Sequence, residues 1–123
     1  MEELEAFLKQ YEIATNSHKF DNVQPLLATD AVYWFSDGSF EGHAAIREAF
    51  EKTWAIVKHE VYKIVNVRWI AESNTEAVCI YEFQWKGEID GIKKSGIGRG
   101  TNVMSKISDD WQMVHEHLSR YPS

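Results

Sequence analysis

The chain has 123 residues, 44% hydrophobic, 13% aromatic and 26% charged, with a formal net charge of −6. That length holds one domain with a real core, read as a single unit over residues 1–123, and leaves little room for a second. An acidic chain without a Lys/Arg cluster argues against a nucleic-acid partner, and no stretch is apolar for long enough to cross a bilayer.

The start, Met1-Glu2-Glu3-Leu4-Glu5, is acidic and lacks the basic opening and apolar run of a secretory signal. The lone Cys79 cannot form an internal disulfide, which fits a reducing compartment, and it sits in the apolar run Ala77–Tyr81 as a small core residue. A cytoplasmic protein is expected.

Leu4, Phe7, Leu8, Tyr11 and Ala14 recur at three- and four-residue spacing and predict a first amphipathic helix. Asn16-Ser17-His18 ends it. A short second helix is predicted after Asp21, with Pro25 tolerated only near its first turn. Ala31–Phe35 is a β-prone run, Ser36–Ser39 a turn, and Phe40 closes a brief hairpin. Beyond Gly42 the residues Ile46, Ala49, Phe50, Thr53, Trp54 and Val57 share one face of a third helix. From His59 onward the period changes to two. Val61–Ile70, Glu76–Trp85, Gly96–Ile107 and Trp111–Ser119 read as strands, separated by turn chemistry at Ser73-Asn74, Gly87 through Gly91 with Lys93-Lys94, and Ser108-Asp109-Asp110. Helices followed by a meander of long strands predict an α+β domain with an antiparallel sheet.

The strand Glu76–Trp85 is bulky on both sides. Ala77, Cys79, Tyr81, Phe83 and Trp85 alternate with Val78, Ile80, Glu82 and Gln84. An antiparallel sheet usually wets one face. Helices can cover one side here, and a second subunit is the simplest cover for the other.

Four segments, in order, resemble the SnoaL-like branch of the nuclear transport factor 2-like superfamily. They are the first-helix run around Tyr11, Thr29-Asp30-Ala31-Val32, Glu41-Gly42-His43-Ala44-Ala45-Ile46, and the closing Trp111–Ser119. The last is also similar to the association domain of calcium/calmodulin-dependent kinases. The resemblance implies a cone-like α+β barrel: three N-terminal helices packed on a curved, mostly antiparallel sheet around a pocket. It does not supply the chemistry, because members include isomerases, cyclases, dehydratases and pure oligomerisation modules.

The ketosteroid isomerase branch uses a Tyr, an Asp base and a protonated Asp, a mechanism that serves as a general worked example of pKa tuning. Matching motifs places Tyr11 on the Tyr, Phe35 on the base and Asn102 near the second Asp, so the standard base is missing. The kinase branch lines its cavity with basic groups, and Gln84, Asn102 and Leu118 stand at those places.

In the family register the cavity face carries Glu82, Gln84, Asn102, Val114, Glu116 and Leu118, with Trp34, Phe50 and Trp54 at the mouth or floor. Tyr11, Glu82 and Glu116 are the acid–base candidates, since a carboxylate desolvated among rings titrates near neutrality. The alternative is that both carboxylates sit at a wet mouth. Tyr81, Phe83 and Trp85 are assigned to the dimer interface, as are Arg99, Thr101, His115 and His117. The two histidines have metal-like spacing but no third ligand, so polar pairing across two subunits is favoured and no metal is expected. Gly96-Ile97-Gly98-Arg99-Gly100-Thr101 is no phosphate loop, because no helix follows. Its alternating glycines suit a bend or a ring such as Trp85 lying on the backbone. No cofactor is expected. The function reading is a homodimer binding a small apolar or carbonyl-bearing ligand, with isomerase, hydratase or cyclase chemistry as the candidate activity. A non-catalytic dimerisation or partner-binding module is the alternative.

Overall fold

Helix α1 (Glu2–Asn16) forms on the expected stripe, and Leu4, Phe7, Leu8, Tyr11 and Ala14 are all buried. The computed structural model describes residues 2–122. Helix α2 (Phe20–Val23) runs into a single 3-10 turn, Gln24–Leu26, where Pro25 needs no amide partner. The hairpin β1 (Leu27–Phe35) and β2 (Gly38–Glu41) leads into α3 (Gly42–Ile56). Four long strands follow: β3 (Lys58–Glu72), β4 (Glu76–Ile89), β5 (Ile92–Ile107) and β6 (Asp110–Arg120).

These strands outrun the sequence expectation because two of the turns need only two residues. Asp90 and Gly91, at φ 53° and 77°, close β4 on β5, and Ser108 and Asp109, at 51° and 69°, close β5 on β6. Paired left-handed residues give the turn twist that matches a hairpin. Gly87, expected to be part of a break, lies inside β4 instead. A Cβ there would collide with Val57 and with the backbone of Lys58, so the glycine serves a close approach.

The six strands form one sheet in the order β2-β1-β6-β5-β4-β3. All neighbours are antiparallel except β1 and β6, which run parallel. The expected cone-like barrel does not form. The sheet is open and not strongly curved, with β2 and β3 as its two edges. Closure would require β2 to meet β3, but β2 is only four residues long. Part of the β3 edge is already taken by α1. Asn16 Nδ2 donates to the Tyr62 carbonyl at 2.8 Å and its Oδ1 accepts the Tyr62 N–H at 2.7 Å. Glu12 Oε2 accepts the Ile64 N–H at 2.7 Å. Side chains of a helix thus satisfy amides that an edge strand leaves open.

The helices pack on one face of the sheet, and the main core lies between them: Leu4, Leu8, Phe20 and Ile46 against Ala77, Cys79, Met104 and Met113. Burial pushes the Cys79 thiol up to about 12, so it behaves as a core hydrophobe. No helix among the described residues is long and apolar enough to cross a membrane.

Candidate functional site

A cavity of about 730 Å³ opens between α1, α3, the β1–β2 hairpin and the inner face of β3 to β6. Phe35, Phe50, Trp54, Tyr62, Phe83 and Trp85 supply its aromatic walls. The wall over β5 has a local cause. Trp85, Phe83 and Tyr81 on β4 pair with Gly96, Gly98 and Gly100 on β5, and each ring lies against the glycine opposite. Rings on β4 can lie flat because β5 offers no side chains there.

At the inner end stands Glu116, only 3% exposed. Two hydrogen-bond relays converge on its Oε1. Tyr11 donates to Oε1 at 2.8 Å and accepts from the Tyr33 hydroxyl at 2.8 Å. Asn102 Nδ2 donates to the same oxygen at 3.1 Å, while Asn102 Oδ1 accepts from the Tyr81 hydroxyl at 2.8 Å. No hydrogen bond among the described residues reaches Oε2, leaving it for a ligand. Burial pushes the Glu116 carboxyl up to about 7, against the downward pull of the Tyr11 and Asn102 bonds. Burial also holds Tyr11, Tyr33, Tyr62 and Tyr81 well above the ordinary phenol range. All four are neutral at physiological pH, so they act as donors. A carboxyl titrating near neutrality with one free oxygen can take or give a proton.

The other wall, between the end of α1 and β3, has a second carboxyl. Glu60 is half-buried, lines the cavity and accepts no side-chain or backbone hydrogen bond on its carboxylate among the described residues. Desolvation alone pushes it up to about 7. Nearby on the same wall, the Thr15 hydroxyl and the Tyr62 hydroxyl are buried without a hydrogen-bond partner among the described residues.

The profile of the SnoaL-like domain matches residues 4–123. The chain belongs to that family. No curated protein matches the sequence significantly. Among solved structures, this SnoaL-like domain is similar to a nuclear transport factor 2-like superfamily protein from Salmonella enterica serovar Typhimurium. That match has a TM-score of 0.90 at 17% identity, covering 99% of this chain and 91% of the other. It is similar to a candidate calcium/calmodulin-dependent protein kinase II association domain from Xanthomonas campestris, with a TM-score of 0.87 at 20% identity over 98% and 87% of the two chains. A candidate scytalone dehydratase from Novosphingobium aromaticivorans gives 0.86 at 15% identity over 99% and 84%. At such identities the likeness is one of fold.

In the SnoaL-like domain the sequence-predicted site residues divide between two faces. Tyr11, Phe50, Trp54, Glu116 and Leu118 line the cavity, and Asn102 stands behind Glu116. Glu82 and Gln84 do not join them. They bond to one another at 2.8 Å, and Glu82 also accepts from Tyr121 at 2.7 Å, so its carboxyl is held low by Gln84 and then Tyr121. Trp34 is 47% exposed on the outer face, edge-on to His115 and His117. Arg99 and Thr101 share that outer face, opposite Ser119 and His117. Tyr81, Phe83 and Trp85, expected outside, point to the helix side. The β4 assignment was therefore one residue out of phase, which exchanges the two faces of a strand. His115 Nδ1 donates to the Val32 carbonyl at 2.7 Å. No group of three or more His, Cys, Asp or Glu among the described residues is placed to hold a metal. Sequence reasoning missed Tyr33, Tyr62 and Glu60; only the fold brings them to Tyr11 and the cavity.

Proposed function

We propose that this SnoaL-like domain binds a small, apolar, carbonyl-bearing molecule and moves a proton on it. The observation that carries the reading is the free Oε2 of Glu116, at the inner end of an aromatic cavity and with its carboxyl raised to about 7. Aromatic walls with few polar groups suit such a ligand. Glu116, when ionised, takes a proton from the carbon beside the carbonyl. The Tyr62 hydroxyl, buried and without a partner among the described residues, is free to donate to the carbonyl oxygen as negative charge develops there. Returning the proton to a different carbon is an isomerisation; giving it to an adjacent hydroxyl, which departs as water, is a dehydration. Tyr11 and Asn102 are positioning residues that hold Oε1 and aim Oε2. Glu82 has no part in this proposal, since its carboxylate is engaged by Gln84 and Tyr121.

Acetonaphthone tests it. Titration should quench the fluorescence of Trp54 and Trp85 saturably, and the protein should speed exchange of the ketone's methyl protons for deuterium, read by NMR. The exchange rate should rise as pH passes through about 7. Glu116→Gln should still bind but lose the acceleration. Saturable binding without exchange would leave a binding protein and remove the catalysis; no binding would end the reading.

The outer sheet face favours a homodimer as the assembled form. Trp34, Thr101, His115 and His117 lie on the side away from the helices. A second copy is the proposed cover, as the alternation along β4 suggests.

A further inference from the structure

The wall formed by the end of α1 and the start of β3 offers three groups able to accept a hydrogen bond. Glu60, Thr15 and Tyr62 all line the cavity, and the Glu60 carboxylate and the two buried hydroxyls have no hydrogen-bond partner among the described residues. Thr15 directly precedes Asn16, which clips α1 to the Tyr62 backbone. Glu60 lies two residues before Tyr62 on β3. An ionised carboxylate only accepts, and both hydroxyls have lone pairs to offer. The one common ligand group with three donors and no acceptor is a primary ammonium.

The surroundings favour the same group. Trp54 lines the cavity beside this wall, and a tryptophan face attracts a cation. Trp54 is itself fixed: His18 stacks on it at 5.4 Å, while His18 Nε2 donates to the Glu60 carbonyl at 2.8 Å. One histidine therefore ties the ring to the Glu60 backbone. The charged groups lining the cavity are Asp37, Glu60, Glu116 and Arg120, so acids outnumber bases, in a chain of net charge −6. An anionic ligand would meet this wall unfavourably.

We infer that the cavity takes an amine-bearing ring compound, with its ammonium held by Glu60, Thr15 and Tyr62 beside Trp54 and its ring system against Phe83 and Trp85. The inference rests on the small-molecule reading above and names the substrate class for that same site. With Tyr62 holding the ammonium through a lone pair, its hydroxyl hydrogen remains available to a carbonyl oxygen of the same ligand.

The test uses naphthylethylamine and its neutral isostere naphthylethanol, titrated calorimetrically into the full chain. The amine should bind about tenfold tighter than the alcohol, the factor expected for one charge-assisted contact in a half-buried site. Glu60→Gln should reduce that preference to near unity. Equal binding of amine and alcohol by the wild type would overturn the amine inference and leave the pocket reading standing. A preference that survives Glu60→Gln would overturn it as well. If neither compound binds, the pocket reading falls and takes this inference with it.

Wild-type protein gives a second measurement that needs no variant. The ammonium stays charged across the neutral range, whereas Glu60 ionises as pH rises through about 7. The groups around it are His18 from the turn after α1, Asp37 from the hairpin, Tyr62 on its own strand, and Glu116 and Arg120 from β6. The amine preference should grow with pH through that range, with the alcohol affinity flat. A preference that falls or stays level would sink the assignment.

Discussion

The Glu116 carboxyl has an ordinary value of 4.5 in a solvated chain and rises to about 7 when buried. The folded state therefore binds its proton more tightly than the unfolded state does. Its contribution to stability is fully present below about pH 4.5 and is lost as pH climbs through about 7, because ionisation then puts a charge in the core. A shift of this size corresponds to about 3 kcal/mol between the two ends of the window. Glu116→Gln keeps a carbonyl oxygen for Tyr11 and Asn102 but never ionises. Its unfolding free energy should gain on the wild type between about pH 5 and about pH 8, by up to that amount. Urea melts at a series of pH values read this directly, and the Glu60 shift cancels because both proteins contain it. A difference independent of pH would mean that Glu116 is already solvated. Glu116 was legible in the sequence through the family resemblance of Trp111–Ser119, whose register puts it on the cavity face. Glu60 was not, since it lies in β3 just ahead of the run Val61–Ile70 that the sequence marks as strand, with nothing local to show it as half-buried. Much of its surroundings comes from α1, the turn after it, and β6, well removed along the chain.

Between residue and fold lies the pairing of β4 with β5, where the sequence carried a signal that strand alternation alone obscured. The family register put Glu82 and Gln84 in the cavity and left Tyr81, Phe83 and Trp85 to an interface. The spacing of Gly96, Gly98 and Gly100 decides otherwise, since each glycine faces one ring. A ring needs that space on the side where helices press it onto the sheet. On β6 a different local event matters. Val103 pairs with His115 but Met104 pairs with Met113, so Val114 is an extra residue. That bulge lets Met113 and Glu116 face the same side although they are three apart, which simple alternation cannot yield. Gly98 offers the sharpest test of the ring–glycine contact, because a Cβ there would collide with both the Phe83 ring and the Ser119 carbonyl oxygen. Gly98→Ala should cost about 1–3 kcal/mol by denaturant titration and weaken acetonaphthone binding as Phe83 shifts into the cavity. Unchanged stability and binding would mean that the ring does not rest on the backbone.

At the scale of the molecule the helices-then-strands order was readable from hydrophobic period, and the SnoaL-like resemblance from short motifs. The open sheet was not. Sheet order depends on β1 adding in parallel to β6, a contact between residues 27–34 and 113–117 that no local pattern encodes. An open sheet packed by helices on one side has a second face to account for. Here that face carries Val78, Ile80 and Val103, half-buried, beside Thr101, His117 and the exposed Trp34. Thr101 sits centrally, paired with Ile80 on one side and His117 on the other. In a two-fold dimer a central residue meets its own copy or a near neighbour, so one substitution acts twice. Thr101→Arg adds a cation beside Arg99 and His117 without entering the helix-side core. Sedimentation at micromolar concentration should show a dimer for the wild type and a monomer for Thr101→Arg, with unchanged far-ultraviolet circular dichroism. The monomer should keep its affinity for acetonaphthone, since the cavity is lined on the opposite side of the sheet by one chain. A monomeric wild type would remove the dimer and leave the apolar outer face without its proposed cover. A monomer that loses binding would instead show that the second copy shapes the cavity.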